Sequence, residues 1–169
     1  MPMKKYLYNI VMVVIVATIA ISLTSCDKDS DLEMSDLEGA WKLQSSSGYG
    51  ETKQYDEERW TYVKLMSNGT FVEVDHKYDG DCSVQTGECW VDSKTRTINL
   101  RPQSYKTTEP PYSIPLTGPT VGMEIVEKTD NKMTLRTLGV TATYVRVSNS
   151  EFEQKYATVM NIISSYLSY

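Results

Sequence analysis

The chain has 169 residues, 40% hydrophobic and 23% charged, with 17 Lys and Arg against 22 Asp and Glu. These values exclude a collagen-like, a fully disordered or a multi-span membrane protein. Lys4 and Lys5 are the only charged residues among the first 25, so the remainder carries 15 Lys and Arg against 22 Asp and Glu, a net charge of −7. An acidic body of that kind speaks against nucleic acid as a partner.

Behind Lys4 and Lys5, Ile10 to Ile21 is apolar except for Thr18. The run is too short for a stable bilayer anchor and reads as a secretory signal peptide over residues 1–25. It ends in Leu23-Thr24-Ser25-Cys26, which resembles the lipobox of bacterial lipoproteins. The resemblance implies cleavage before Cys26, lipid on its sulfur and amine, and attachment to the membrane through that lipid. Two or three acyl chains make such an anchor effectively permanent. Residues 26–36, starting Cys26-Asp27-Lys28-Asp29-Ser30-Asp31, are acidic and poor in bulky apolar groups, as a tether should be. An acidic stretch at this place is similar to the surface-export signal of Bacteroidetes lipoproteins. It implies an exported lipoprotein of the outer membrane, displayed on the surface rather than kept in the periplasm. Asp27, Asp29, Asp31 and Glu38 fall at EF-hand positions 1, 3, 5 and 12, but Leu32 stands where the loop needs glycine, so calcium is not expected there.

The remaining residues, 37–169, read as one all-β domain with a helical tail. Period-two alternation with turn residues every 8 to 15 positions suggests an antiparallel sandwich or barrel. Trp41 and Leu43 alternate with Lys42 and Gln44 in a first strand. Arg59–Met66 and Thr70–Tyr78 flank Ser67-Asn68-Gly69, a hairpin signal in which Asn-Gly supplies positive φ angles. Trp90-Val91 and Thr95–Arg101 bracket a second turn, Asp92-Ser93-Lys94. Val121–Lys128 and Met133–Leu138 bracket a third, and Gly139 precedes a last strand, Val140–Val147. Five of the six prolines lie between Pro102 and Pro119, which predicts a long loop. In the tail, Phe152, Tyr156, Val159, Ile163 and Tyr166 recur every three or four residues after Ser150 and Glu153. This predicts an amphipathic helix over 150–167 with a capping box, packed on the outside of the sheet.

With these elements in order, Leu37-Glu38-Gly39-Ala40-Trp41-Lys42-Leu43 resembles the Gly-x-Trp opening strand of lipocalins and of lipocalin-like lipoproteins of the Bacteroidetes. Asn68-Gly69-Thr70-Phe71, Thr97-Ile98-Asn99-Leu100, Met133-Thr134-Leu135 and Tyr144-Val145-Arg146-Val147 are similar to segments recurring in the same order there. The resemblance implies an up-and-down antiparallel lipocalin-like β-barrel of about eight strands. In it Gly39 and Trp41 close the base, and Arg146 packs over the tryptophan as a cation–π partner, a structural role worth about 0.5–2 kcal/mol.

Cys82 and Cys89 are the remaining cysteines of an exported chain, and a disulfide is the natural reading. Asp79, Asp81 and Glu88 would raise the thiol pKa values and so oppose a redox role. Catalysis is poorly provided for: His76 is the single histidine, and no nucleophile elbow, phosphate loop or zinc-binding helix motif is present. No enzyme activity, cofactor or metal is therefore expected, although Asp75, Asp79 and Asp81 lie close to His76. Trp60, Tyr62, Tyr78 and Trp90 fall in or beside the middle strands. Val72, Val74, His76 and Tyr78 share one strand face, which makes that face the expected interior, while the inward face of the preceding strand stays open. The ligand-lining set is then Val74, His76, Tyr78, Trp60, Tyr62 and Trp90.

The function expected from these residues and the resemblance is non-catalytic binding of a small, largely apolar molecule. The rival is a solid-core accessory lipoprotein that contacts a partner protein or glycan through loop 102–119, its interior filled by Leu43, Val74, Leu100, Ile125 and Leu135. Cys26→Ser should release the protein from membranes or leave an uncleaved precursor, read by fractionation and intact mass; unchanged fractionation and mass would refute lipidation.

Overall fold

Side chains of a strand alternate between two faces, and here both faces of the sheet find apolar cover. The computed structural model describes residues 31–110, 112–116 and 119–167. The expected signal peptide, Cys26 and the start of the tether lie outside them. A compact unit begins at Leu32. Its elements are α1 (Met34–Leu37), β1 (Gly39–Gly48), β2 (Glu51–Gln54), β3 (Trp60–Met66), β4 (Thr70–His76), β5 (Cys82–Asp92), β6 (Thr97–Thr107), β7 (Ser113–Pro115), β8 (Val121–Lys128), β9 (Lys132–Thr137), β10 (Val140–Val147) and α2 (Asn149–Leu167).

Eight strands pair in the order β1-β3-β4-β5-β6-β8-β9-β10, and β10 returns to β1. Every pairing is antiparallel, so the fold is a closed up-and-down β-barrel with a C-terminal helix. Closure removes the sheet edges that would otherwise invite aggregation. The two short strands extend the wall: β2 continues along β1 beyond β3, and β7 continues along β6 beyond β8.

One end of the barrel is sealed by α1 and the start of β1. Leu32 and Leu37 are buried in the interior cluster, and the Glu33 N–H donates to Asp36 Oδ2 at 2.8 Å to cap the short helix. Residues 32–36, expected to end the tether, thus belong to the barrel: the apolar Leu32 is drawn into the core. Trp41 is fully buried and its indole N–H donates to Leu37 O at 2.9 Å. The Arg146 guanidinium lies 4.2 Å from the Trp41 ring centre. Its Nη1 donates to Glu38 O at 2.7 Å and its Nε to Asp130 O at 2.5 Å. Gly39 has φ +125°, and a Cβ there would stand 2.4 Å from Arg146 Nη1, so glycine alone fits beneath the guanidinium.

α2 packs on the outside of the barrel. Phe152, Val159 and Ile163 are buried against Ala40, Trp60, Tyr62, Val74, Cys82 and Val84, each contributing about 1.5–3 kcal/mol. Tyr62 Oη donates to Glu151 Oε1 at 2.7 Å, and Lys64 Nζ bonds Glu153 at 2.6 Å. The expected capping box at Ser150 and Glu153 is displaced by two residues. Ser148 Oγ accepts the Glu151 N–H at 3.1 Å, and the Glu153 side chain is spent on Lys64.

Two further expectations are corrected. Pro102–Pro119 is not one long loop, because β6 runs through Pro102 to Thr107 and β7 pairs with it. Pro102 is tolerated because it lies where β6 changes partners. Its neighbours Leu100 and Ser104 pair with β8 and β7, Pro102 itself faces only Gly87 of β5, and Gln103 bulges out of the ladder. Nor do Cys82 and Cys89 form a disulfide: both are free and buried. They lie in the one strand β5, seven residues or roughly 20 Å apart, with Cys82 under α2 and Cys89 inside the barrel. A bridge requires Cα atoms within about 7 Å.

Gly39→Ala should destabilise the barrel by about 1–3 kcal/mol, measured by urea unfolding. Denatured without reductant, the protein should take an alkyl group on each of Cys82 and Cys89; unlabelled thiols that appear only after reduction would contradict the unbridged pair.

Candidate ligand-binding cavity

The inward faces follow from the register. On β3, β4 and β5 the odd-numbered residues point inward, giving cross-strand rows Leu65–Phe71–Gly87, Val63–Glu73–Gln85 and Thr61–Asp75–Ser83. From the sealed end outward the rows change from apolar to polar. Glycine at 87 lets the walls close in, since a Cβ there would meet Arg101 O at 2.2 Å and Phe71 Cε1 at 2.9 Å.

Above the core of Trp41, Leu43 and Ile125, the lumen keeps a cavity of about 220 Å3, to whose wall Ile98 and Met133 also belong. Its wall is mostly aliphatic and aromatic, with Val63, Leu65, Phe71, Leu100, Met123 and Leu135 prominent, and its polar groups are Glu73, Gln85 and Tyr144. Concave, largely apolar sites with few polar groups are the usual form of small-molecule sites. In proportion to the roughly 150 Å3 cavity that takes benzene, this space suits a body on the order of ten non-hydrogen atoms.

Charge is concentrated on one side of the lumen. Asp75 accepts from Thr61 Oγ1 at 2.5 Å and from Ser83 Oγ at 3.4 Å. Burial raises its pKa, while these bonds and the charges of Lys77 and Arg59 act in the opposite direction. Glu73 has no such support. Burial, then the neighbouring Asp75 charge, pushes its carboxyl up to about 8. Burial and the same two carboxylates hold the Tyr144 phenol well above its ordinary range.

The six residues expected to line the cavity do not do so. Trp60, Tyr62 and Val74 are buried on the outer face beneath α2. His76 stacks on Trp60 with ring centres 5.3 Å apart, and its Nδ1 lies 2.9 Å from Glu58 O. Tyr78 is exposed and donates to Asp56 Oδ2 at 3.1 Å. Trp90 is 40% exposed, with Arg101 5.9 Å from its ring. The even-numbered face of β4 is apolar because a helix covers it, not because it faces the lumen. Of the residues expected to fill the interior, Leu43, Leu100, Ile125 and Leu135 do face inward, whereas Val74 does not. Asp75 and His76 point to opposite faces, and among the described residues no cluster of three or more His, Cys, Asp or Glu could hold a metal.

No family model matches the sequence. No curated protein matches it either. Among solved structures, the chain is similar to a lipocalin-like protein from Bacteroides uniformis, with 14% identity and a TM-score of 0.49 over 66% of this chain and 99% of that one. It is also similar to a streptavidin-like protein from Bacteroides eggerthii, with 10% identity and a TM-score of 0.42 over 76% of this chain and 98% of that one.

Because the folded-state pKa of Glu73 lies above its unfolded value, the folded state binds more protons between about pH 4.5 and 8. Stability should therefore fall as pH rises through that window. Glu73→Gln should flatten the profile and raise the melting temperature at pH 8, read by thermal unfolding across pH; a wild-type curve that stays flat or climbs there would contradict the assignment.

Proposed function

We propose that this protein is a lipid-anchored, exported binding barrel of the outer membrane that holds a small, largely apolar molecule in its lumen and carries out no chemistry on it. The observation that carries the reading is the cavity of about 220 Å3, walled by aliphatic and aromatic side chains inside a closed barrel. A barrel filled solid, as the rival accessory role requires, would leave no such space. Attachment rests on the lipobox resemblance at Cys26, with residues 27–31 as the spacer to the compact unit. On this reading the barrel is held at the membrane and displayed on the surface.

The aliphatic wall supplies affinity at about 25 cal/mol for each Å2 of apolar surface removed from water. Glu73, Gln85 and Tyr144 supply orientation. The buried aromatics under α2 serve packing, and the ligand-facing residues are those of the odd-numbered strand faces.

Native mass spectrometry and solvent extraction of gently purified protein should find a bound small molecule. Leu100→Trp, which places a large ring in the cavity, should expel it and remove any ligand-dependent rise in melting temperature. A clean apo mass, with no small apolar molecule raising the melting temperature, would sink the proposal in favour of the solid-core accessory role.

A further inference from the structure

The lumen contains one carboxylate that the protein itself does not satisfy. Asp75 is held by two hydroxyl donors, and the charges of Lys77 and Arg59 act on it. Glu73, two residues earlier on the same face of β4, lines the cavity, and its carboxylate has no hydrogen bond or ion pair among the described residues. Its register neighbours Val63 and Gln85 bring no charge. The titratable side chains around it are Asp75 from its own strand, Tyr144 from β10 and, one strand beyond Gln85 in the same row, Tyr105 from β6, and none offers a positive charge. A carboxylate so placed is left to a proton, to cavity water or to a cation from outside. The room beside it is not the shell of oxygens that a metal ion would need, but an apolar cavity whose wall includes Val63, Phe71, Leu100 and Leu135.

We propose that the ligand of this barrel is an amphipathic amine, its ammonium group bound by Glu73 with Asp75 behind it and its apolar body seated in the cavity. This rests on the reading of the lumen as a binding site and names the chemical class it takes. An ammonium donates to the carboxylate and cancels the repulsion between Glu73 and Asp75, two effects that a neutral ligand cannot supply. The apolar body replaces the water that would otherwise fill the aliphatic part of the cavity. An acid of the same shape would add a third negative charge to the pair and be rejected. Burial and the Asp75 charge, which push the carboxyl of Glu73 up to about 8, give binding a pH signature: below that value the amine must displace a proton, so its affinity climbs as pH rises toward 8 while the amine itself stays charged.

The test uses three probes of one size and different charge, phenethylamine, 2-phenylethanol and phenylacetate, titrated calorimetrically into the unit from Leu32 onward, which contains every strand pairing and both hydrophobic clusters found among the described residues. At pH 8 the amine should bind more tightly than the alcohol by about tenfold or more, and the acid more weakly than the alcohol. The amine's advantage should shrink toward pH 6, and Glu73→Gln should reduce it to the alcohol's affinity. The comparison within the wild-type protein needs no variant, so it stands even if Glu73→Gln alters folding. Equal or tighter binding of the alcohol or the acid overturns the amine assignment while leaving a binding lumen intact. An amine advantage that survives Glu73→Gln overturns the role of Glu73. Binding of none of the three overturns this proposal together with the reading beneath it.

Discussion

Everything inside this protein depends on the seam between β1 and β10. Eight register pairs, from Ala40 with Val147 to Gly48 with Val140, join the first long strand to the last and turn an open sheet into a closed wall. The seam is locked at the sealed end, where Arg146 lies over Trp41 and ties Glu38 and Asp130 together while Gly39 leaves it room. At the other end the strands approach so closely that a Cβ on Gly48 would meet Gly139 O at 2.9 Å. Without the seam, β1 and β10 would be bare edges and the lumen would be a groove.

Closure also explains the strained tips. Tyr49-Gly50 and Leu138-Gly139 are two-residue turns, and all four residues have positive φ, as the tight turns that match strand twist require. Tyr49 and Leu138 have a Cβ and are strained there. The Tyr49 hydroxyl donates to Leu138 O at 2.6 Å, linking the two tips that flank the seam. By contrast the Ser67-Asn68-Gly69 turn is a three-residue loop between Met66 and Thr70, with positive φ at Gly69 and not at Asn68.

The wall is apolar on the outside wherever α2 covers it and acidic on the inside along part of β4, the reverse of the usual alternation of a half-exposed sheet. In β4 the pattern Val72-Glu73-Val74-Asp75 reads as apolar in and acidic out, yet the acids are inside. This inversion misassigned Trp60, Tyr62, Val74 and His76 and hid Glu73 and Gln85. A signal was present, because the apolar stripe of the tail helix needs an apolar strand face to rest on, and the even-numbered residues of β3 to β5 supply one. Period two names the two faces of a strand but not which of them is the inner one.

Local chemistry is why the sequence by itself determined much of this protein. Alternation and turn residues define the strands from Trp41 to Val147, the three-to-four periodicity defines the helix, and the ordered motifs point to the barrel. The short strands β2 and β7, the passage of β6 through Pro102 and the extended run from Cys82 to Cys89 were decided only by tertiary pairing. A few residues with no strong strand preference become a strand when a neighbouring edge offers hydrogen bonds. The unbridged cysteines and the lumen-facing carboxylates were likewise settled by strand register and by the placement of α2. These depend on contacts between residues far apart in the chain, and no spacing along one segment records them.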